Sequence, residues 1–507
     1  MDYHPGPRIA AGAGVGMVRR VARWLVVAAG SALLGLALIA GAIYWHFLHS
    51  GPSPSVWHRV ALADFTEEQA DQVRTLDDYL RLEQELFDEL QERVYGAVPP
   101  GGDAATFNRY SAGSRSDPGV WPVNWNRTFH LQPAPGTELR GAFLLLHGLT
   151  DSPYSMRSIG EHLAARGFEV VGLRLPGHGT APSGLLTFRI EDMRAAVRLA
   201  ARDLQARVGP DRPLFIGGYS NGGALAVDYA LAVLDGEPLP RPAGLVLLSP
   251  MIGISPFAIV GRLKTGLSSL PGYERAAWET LGLEFDPYKY TAFSFHAAGE
   301  TYRLTRDLAR QVERLAPTGK LDGFPPALVF LSTVDSTVEA EAVTDTLLDR
   351  LAPGDHELVL FDVNRFAAVQ QLLVDDPGPL TQRLRSRAER PYELSVVTNA
   401  SAGSMEVVEL RTPAGSAGIS RRDLGLAWPR TVFSLSHVAL PFPPDDPLYG
   451  YEVAGPADHV QLGNLAIRGE NGVLTVPMWA LTRLRSNPFH SYQLERIDEF
   501  VDRSAAR

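Results

Sequence analysis

The sequence predicts an α/β fold: a mostly parallel sheet with helices on both faces, a helical cap inserted above it, and one N-terminal transmembrane helix. Three observations carry this. From about residue 125, short apolar runs alternate with helical stretches, the pattern of right-handed βαβ crossovers that bury a parallel sheet from both sides. Near the N-terminus, Trp24–Leu48 contains no charged side chain and exceeds the roughly 20 apolar residues needed to cross a bilayer. Between two of the strand-like runs, residues 251–325 read as helical and rich in aromatics. The 507-residue chain is 45% hydrophobic and 21% charged, which excludes wholesale disorder. A net charge of −10, with no basic run beyond the N-terminus, argues against a nucleic-acid binder. The absence of cysteine excludes disulfides, zinc–thiolate sites, iron–sulfur clusters and a cysteine nucleophile.

Arg19, Arg20 and Arg23 precede the apolar run, and the next Lys or Arg is Arg59. By the positive-inside rule residues 1–23 are cytoplasmic, 24–48 span the membrane, and the chain after residue 50 lies on the outer, periplasmic or extracellular, side. Trp24, Tyr44 and Trp45 fall where interfacial aromatics are enriched. A cleaved signal peptide is the rival reading, since Ala40-Gly41-Ala42 resembles a cleavage site; against it, the run continues past that point through Leu48. Residues 49–124 read as a linker and an amphipathic helix. Thr66 with Gln69 forms a capping-box pattern, and Val73, Leu76, Leu80, Phe87, Leu90 and Val94 recur at helical spacing, interrupted by Glu83. This predicts a helix to about Tyr95, packed on the main domain.

Residues 125–507 form that domain. Gly141–Leu146, Phe168–Leu175, Leu214–Tyr219, Gly244–Ser249 and Ala327–Leu331 read as strands, and Tyr154–Arg166, Ile190–Val208 and Asn221–Leu234 as helices. The cap spans about 251–325. Its aromatics, among them Tyr273, Trp278, Phe285, Tyr288 and Tyr290, either line an acyl pocket or simply pack the cap. A second insertion at about 365–430 carries strand-like pieces at Glu393–Thr398 and Met405–Leu410 and a polar loop, with no functional reading.

Gly218-Tyr219-Ser220-Asn221-Gly222 is a G-x-S-x-G sequence between an apolar strand and a helix. The two glycines remove side chains where strand and helix approach too closely for a Cβ, and Ser220 is expected in a strained turn with its hydroxyl exposed above the sheet. A serine needs a base in hydrogen-bond reach, and the base an orienting carboxylate. Asp335 follows the strand Ala327–Leu331, at the carboxyl edge where such sheets place their sites. Five histidines are candidates for the base. His296 precedes Asp335 inside the cap, and His356 and His459 open strand-like runs at the wrong edge. His437 follows the apolar stretch Thr431–Ser436, taken as a strand, and is preferred; His490, opening the last helix, is the alternative. The oxyanion needs two backbone N–H donors, expected from Asn221 and from Leu149 in the loop His147–Thr150. His147 and His178 read as structural.

The series LLLHGLTDSP (144–153), LRLPGHGTAP (173–182), GYSNGG (218–223), STVDSTV (332–338) and SHVALP (436–441) resembles the α/β-hydrolase family, most nearly its monoglyceride lipase, lysophospholipase and carboxylesterase branch with a helical cap. The resemblance covers about 125–350 and the region of His437. It implies a Ser220–Asp335–His437 triad and no cofactor. Relatives reach the histidine soon after the last acid-bearing strand, so the long excursion before His437 departs from the pattern, and residues 1–120 lie outside the family core.

The expected protein is thus a membrane-anchored serine hydrolase that cleaves carboxylic esters of acyl-lipid, lysophospholipid or monoglyceride type through an acyl-enzyme. Its partner is a hydrophobic ester or lipid, with no metal, cofactor or nucleic acid. A serine peptidase or acyltransferase on the same fold, and a non-catalytic envelope scaffold, are the alternatives. No HExxH or EF-hand spacing supports a metal hydrolase.

Overall fold

The computed structural model describes residues 13–49, 52–99, 107–253, 274–335, 338, 340–366, 378–387, 389–430, 432–453, 459–463 and 483–506. Helix α1 (Ala13–His49) is continuous, and its stretch Ala22–Ala42 has a mean hydropathy of 2.3 with none of it buried against the protein. Among the described residues it is the one helix long and apolar enough to cross a membrane.

The segment after it is an arm laid on the body of the protein. The Thr66–Gln69 capping box does form, but it closes a 3-10 turn, Glu67–Gln69, instead of starting the long helix. Helix α2 (Leu76–Arg93) starts at a second box, in which Asp78 accepts the Thr75 amide and the Thr75 hydroxyl accepts the Asp78 amide. Asp78 also holds the Arg74 amide, so this cap sets the boundary. Val73 and Leu76 join the main core, as helical spacing predicts, and Tyr79, outside the predicted stripe, joins them. Glu83, the interruption in the stripe, is also buried. The stretch 49–124 is therefore more than linker and helix: Arg109 is buried too, and its amide bonds the Glu284 carbonyl.

The body is a ten-stranded sheet. Five strands form its first half: β1 (Phe129–Leu131), β2 (Gly141–Leu146), β3 (Phe168–Leu173), β4 (Leu214–Tyr219) and β5 (Gly244–Leu248). A separate two-stranded ribbon, β6 (Trp278–Thr280) and β7 (Phe293–Ser294), follows. The second half comprises β8 (Ala327–Ser332), β9 (His356–Phe361), β10 (Tyr392–Asn399), β11 (Glu406–Thr412) and β12 (Ser420–Ala427). The order is β1-β3-β2-β4-β5-β8-β9-β10-β11-β12, parallel from β3 to β10 and antiparallel at both ends. Strands β2, β3, β4, β5, β8 and β9 are buried along their whole length, which is why β2, β4, β5 and β8 read as unbroken apolar runs and β3 and β9 are apolar apart from Glu169, His356 and Glu357. On one face lie α2, α4 (Ile190–Val208), α5 (Asn221–Asp235) and α6 (Phe295–Leu315). The other face carries α3 (Arg157–Ala165) and α9 (His490–Ala505). Two short helices, α7 (Ala340–Thr346) and α8 (Gly378–Ser386), connect the later strands.

Three expectations change. The stretch 251–325, read as a helical cap, divides in two. Helix α6 places Leu304, Leu308, Val312 and Leu315 in the main core and so belongs to the helix layer. The part before it is turn and ribbon, while 254–273, including Tyr273, lies outside the described residues. The second insertion, 365–430, is a continuation of the sheet: β10 pairs parallel with β9, and β11 and β12 extend it by hairpins. Finally, among the described residues no strand leads directly into His437. Residues 432–436 are irregular, Thr431 lies outside the described residues, and Asn364 claims the Phe433 and Val432 carbonyls, leaving no neighbouring strand for them to pair with.

Candidate active site

The carboxyl edges of β2, β4 and β8 bring three loops together. After β4 the chain turns into α5 at Ser220, whose φ of 53° and ψ of −114° lie where non-glycine residues rarely sit, at a cost of about 1–3 kcal/mol. The turn is held from both sides: the Ser220 amide donates to the Leu248 carbonyl at 2.9 Å, and the Ser220 carbonyl accepts from Met251 at 3.0 Å and Ala224 at 3.1 Å. A Cβ on Gly222 would stand 2.1 Å from the Leu146 carbonyl oxygen, and one on Gly218 2.3 Å from that of Gly222. Only glycine fits at either place. Ser220 keeps 6% of its surface accessible, so the turn lies under cover and is less open than the motif alone suggests.

Asp335 ends the loop after β8. Its Oδ1 accepts the Val338 amide at 3.0 Å, and its Oδ2 lies 2.7 Å from His437 Nδ1. Both side chains are buried. His437 opens a 3-10 turn, His437–Ala439, and reaches this place by tertiary packing. Leu435, Ala439 and Leu440 are buried in the core beneath α9, and the Ser436 hydroxyl donates to the Leu484 carbonyl. The His437 ring sits 5.2 Å from the ring of Tyr219, the residue before Ser220. The other histidines are placed elsewhere. His296 is bonded to the Phe188 carbonyl, and the His459 ring packs 4.0 Å from Trp121. His356 sits at the opposite end of its strand, and His490 lies at the start of α9. Burial pulls both of these down to about 4.

Leu149 and Asn221 are the residues expected to supply the two oxyanion donors. Asn221 is the first residue of α5, and Leu149 lies in the loop after β2, next to Thr150, whose φ is 65°. The Thr150 carbonyl accepts the Tyr290 amide at 2.8 Å. Among the described residues neither the Leu149 nor the Asn221 amide has a backbone or side-chain acceptor. Also among the described residues, no group of three or more His, Asp or Glu side chains is arranged to hold a metal.

A cavity of about 470 Å³ lies against Tyr219 and Val438, the chain neighbours of Ser220 and His437. Phe285 and Tyr290 line it, while Tyr288 packs with Tyr154 in a cluster against which Phe285 also packs. Two lining groups escaped the sequence reading. Asp151 and Lys289 form an ion pair at 2.6 Å, with burial pushing the Asp151 carboxyl up and Lys289 opposing it. Asp151 was visible within LTDSP, but nothing local marked Lys289 as its partner.

A family model described as serine aminopeptidase, S33, matches residues 137–365. The thermostable monoacylglycerol lipase of Bacillus sp. (strain H-257) is 30% identical over 219 residues, 43% of this chain and 78% of the relative. Among solved structures, a soluble variant of the Saccharomyces cerevisiae monoglyceride lipase is 18% identical, covering 46% of this chain and 82% of its own, with a TM-score of 0.36. The Paleococcus ferrophilus monoacylglycerol lipase is 20% identical, covering 46% and 88%, with a TM-score of 0.35.

Proposed function

The chain belongs to the α/β-hydrolase family, in its monoglyceride lipase-like branch, and on that premise we propose that it is a serine ester hydrolase held at a membrane by α1. The observation that carries this reading is the 2.7 Å contact between Asp335 and His437 beside the strained turn at Ser220. With Nδ1 tied to Asp335, the His437 nitrogen left to act as base is Nε2. The Ser220 hydroxyl adds to the acyl carbonyl as His437 takes its proton. Asp335 fixes the tautomer and stabilises the imidazolium, and the Leu149 and Asn221 amides hold the oxyanion. Collapse of the tetrahedral adduct breaks the ester C–O bond, and His437 returns the proton to the departing alcohol. Water, deprotonated by the same imidazole, then releases the acid. The substrate class is an acyl lipid or hydrophobic ester of the monoglyceride or lysophospholipid kind, which suits a domain tethered at a bilayer. Arg19, Arg20 and Arg23 before the span support an uncleaved anchor with the catalytic domain on the outer side.

A fluorophosphonate probe tests the chemistry. Labelling of the wild type that disappears in Ser220→Ala, with turnover falling on the order of 10⁴-fold or more, supports the enzyme. A folded wild type that does not label refutes it and leaves a scaffold. A second reading, peptide cleavage, has the family model's own description behind it. Aminoacyl p-nitroanilides run beside p-nitrophenyl esters, monoglycerides and lysophospholipids decide between the two.

A further inference from the structure

We propose that Asp64, carried by the arm between the membrane helix and the hydrolase core, is a positioning residue for the oxyanion hole, acting through Arg174 and a hydrogen-bond chain to the Gly148–Leu149 peptide. The inference rests on the catalytic reading above. It adds a part of the protein that the family model, beginning at residue 137, does not cover.

The chain of contacts starts in the arm. Asp64 Oδ1 accepts from Arg174 Nη2 at 2.8 Å, and its Oδ2 accepts from Arg174 Nη1 at 3.0 Å and from the Gly177 amide at 2.7 Å. Glu83, from α2 of the same arm, accepts from Arg174 Nε at 3.1 Å, and its two oxygens also take the Thr128 amide and hydroxyl. Tyr79 donates to the Arg174 carbonyl at 2.7 Å. Arg174 is fully buried, and its charge is stabilised by Asp64 and Glu83, which hold its pKa well above the usual range. Arg174 in turn donates from Nη1 to the His178 carbonyl at 3.1 Å. The loop 174–178 is thus fixed from the arm side.

That loop fixes the next one. The Leu175 amide donates to His147 Nε2 at 3.0 Å, so Nε2 carries no proton and Nδ1 does. Nδ1–H then donates to the Gly148 carbonyl at 2.8 Å. Burial keeps His147 neutral, as this tautomer requires. The Gly148 carbonyl and the Leu149 amide belong to one peptide, which is planar and trans, so clamping the C=O toward His147 aims the N–H the opposite way. The direction of the Leu149 donor is therefore set through Leu175 and Arg174 by carboxylates of the juxtamembrane arm. An oxyanion donor is sensitive to such aim, since its contribution depends on preorganised geometry.

The test uses the full-length protein in detergent with a soluble p-nitrophenyl ester, and Ser220→Ala is measured in parallel. Asp64→Ala is expected to lower kcat about 10- to 100-fold with KM within about twofold, and also to lower the melting temperature, because the buried Arg174 then keeps only Glu83 as an ion-pair partner. Asp64→Asn, which keeps the shape and one acceptor oxygen, is expected to recover part of that loss. A kcat within twofold of wild type in Asp64→Ala overturns the proposal, as does a loss matched by a raised KM. Should Asp64→Ala fail to fold, a folded Asp64→Asn with wild-type kcat overturns it and one with reduced kcat and unchanged KM supports it. If Ser220→Ala itself retains turnover, the catalytic reading has failed; if it is dead while Asp64→Ala is fully active, only the positioning role has.

Discussion

Ser220 and His437, the proposed nucleophile and base, are held in opposite ways. The serine's turn is encoded by adjacent residues, a strand, a helix and two glycines, which pack so closely on neighbouring strands that a methyl at Gly222 would lie 2.1 Å from the Leu146 carbonyl oxygen, and Leu248 and Met251 hold its backbone. The histidine is fixed by pieces distant in sequence. Asp335 receives its Nδ1, Leu435 and Leu440 anchor its turn in the core, Ser436 reaches Leu484, and Asn364, just past β9, holds the two carbonyls upstream. The proposed site thus pairs a nucleophile on a locally encoded turn with a base that the rest of the fold must deliver. Crowding the glycines that form the serine's turn is expected to appear in stability, whereas loss of the Ser220, His437 or Asp335 side chain is expected to appear in rate.

The largest effect separates the base from its neighbours. His437→Ala is expected to lower kcat/KM on the order of 10⁴-fold or more, and Asp335→Asn about as much, because the wrong tautomer then faces the serine. Thermal unfolding of both variants should stay near that of the wild type. Steady-state kinetics with a p-nitrophenyl ester checks this, and a His437→Ala enzyme within tenfold of wild type would break the comparison at its centre.

The next effect falls on the serine side. Gly222→Ala is expected to destabilise the protein by about 3 kcal/mol or more, since the added methyl meets backbone, which cannot move aside as a flexible side chain can. Chemical unfolding measures it. An alanine variant with wild-type stability would show that the turn is looser than its close approaches indicate.

The same contrast explains what could be read from the sequence. Strands β2, β4, β5 and β8 are buried on both faces, and continuous apolar runs are the direct imprint of that burial. The turn at Ser220 was legible because its glycines and its strand–helix setting are adjacent in the chain. Asp335 was legible as a carboxylate just past a strand end. Beyond β9 the pieces that became β10 and β11 were legible as strand-like, but their place in the main sheet was not, because they carry Glu393 and Glu409, which join Glu357 of β9 round the buried Arg496 of α9. Charges paired at long range stand where a buried sheet leads one to expect apolar residues. β12 is an edge strand with exposed Arg421 and Asp423 and has no apolar stripe to betray it. His437 was singled out for following a strand that the described residues 432–436 do not form. Its position against Asp335 depends on Asn364, Leu435 and Ser436, contacts without any local signature.

The smallest effect at neutral pH concerns His490, the rival base. Its ring is buried at the start of α9, and its pKa is pulled from the ordinary 6.5 down to about 4 by that burial. A group that resists protonation only when folded contributes stability that is fully present above pH 6.5 and is lost as the pH falls from 6.5 toward 4, where the unfolded chain takes up a proton that the native state refuses. Its share of the acid loss is on the order of 3 kcal/mol. His58, His178 and His356 are displaced in the same direction, so the wild type should weaken steeply through this window. His490→Gln carries no titrating ring, and its unfolding free energy is expected to fall less than that of the wild type between pH 7 and pH 5. Its kcat at pH 7.5 should stay within about twofold of wild type. Urea unfolding at the two pH values, with kinetics on the same preparations, separates the roles. A variant that keeps the wild-type acid slope but loses turnover by orders of magnitude would move the base from the long-range loop to the helix start, and with it the division of labour between the two sides of the site.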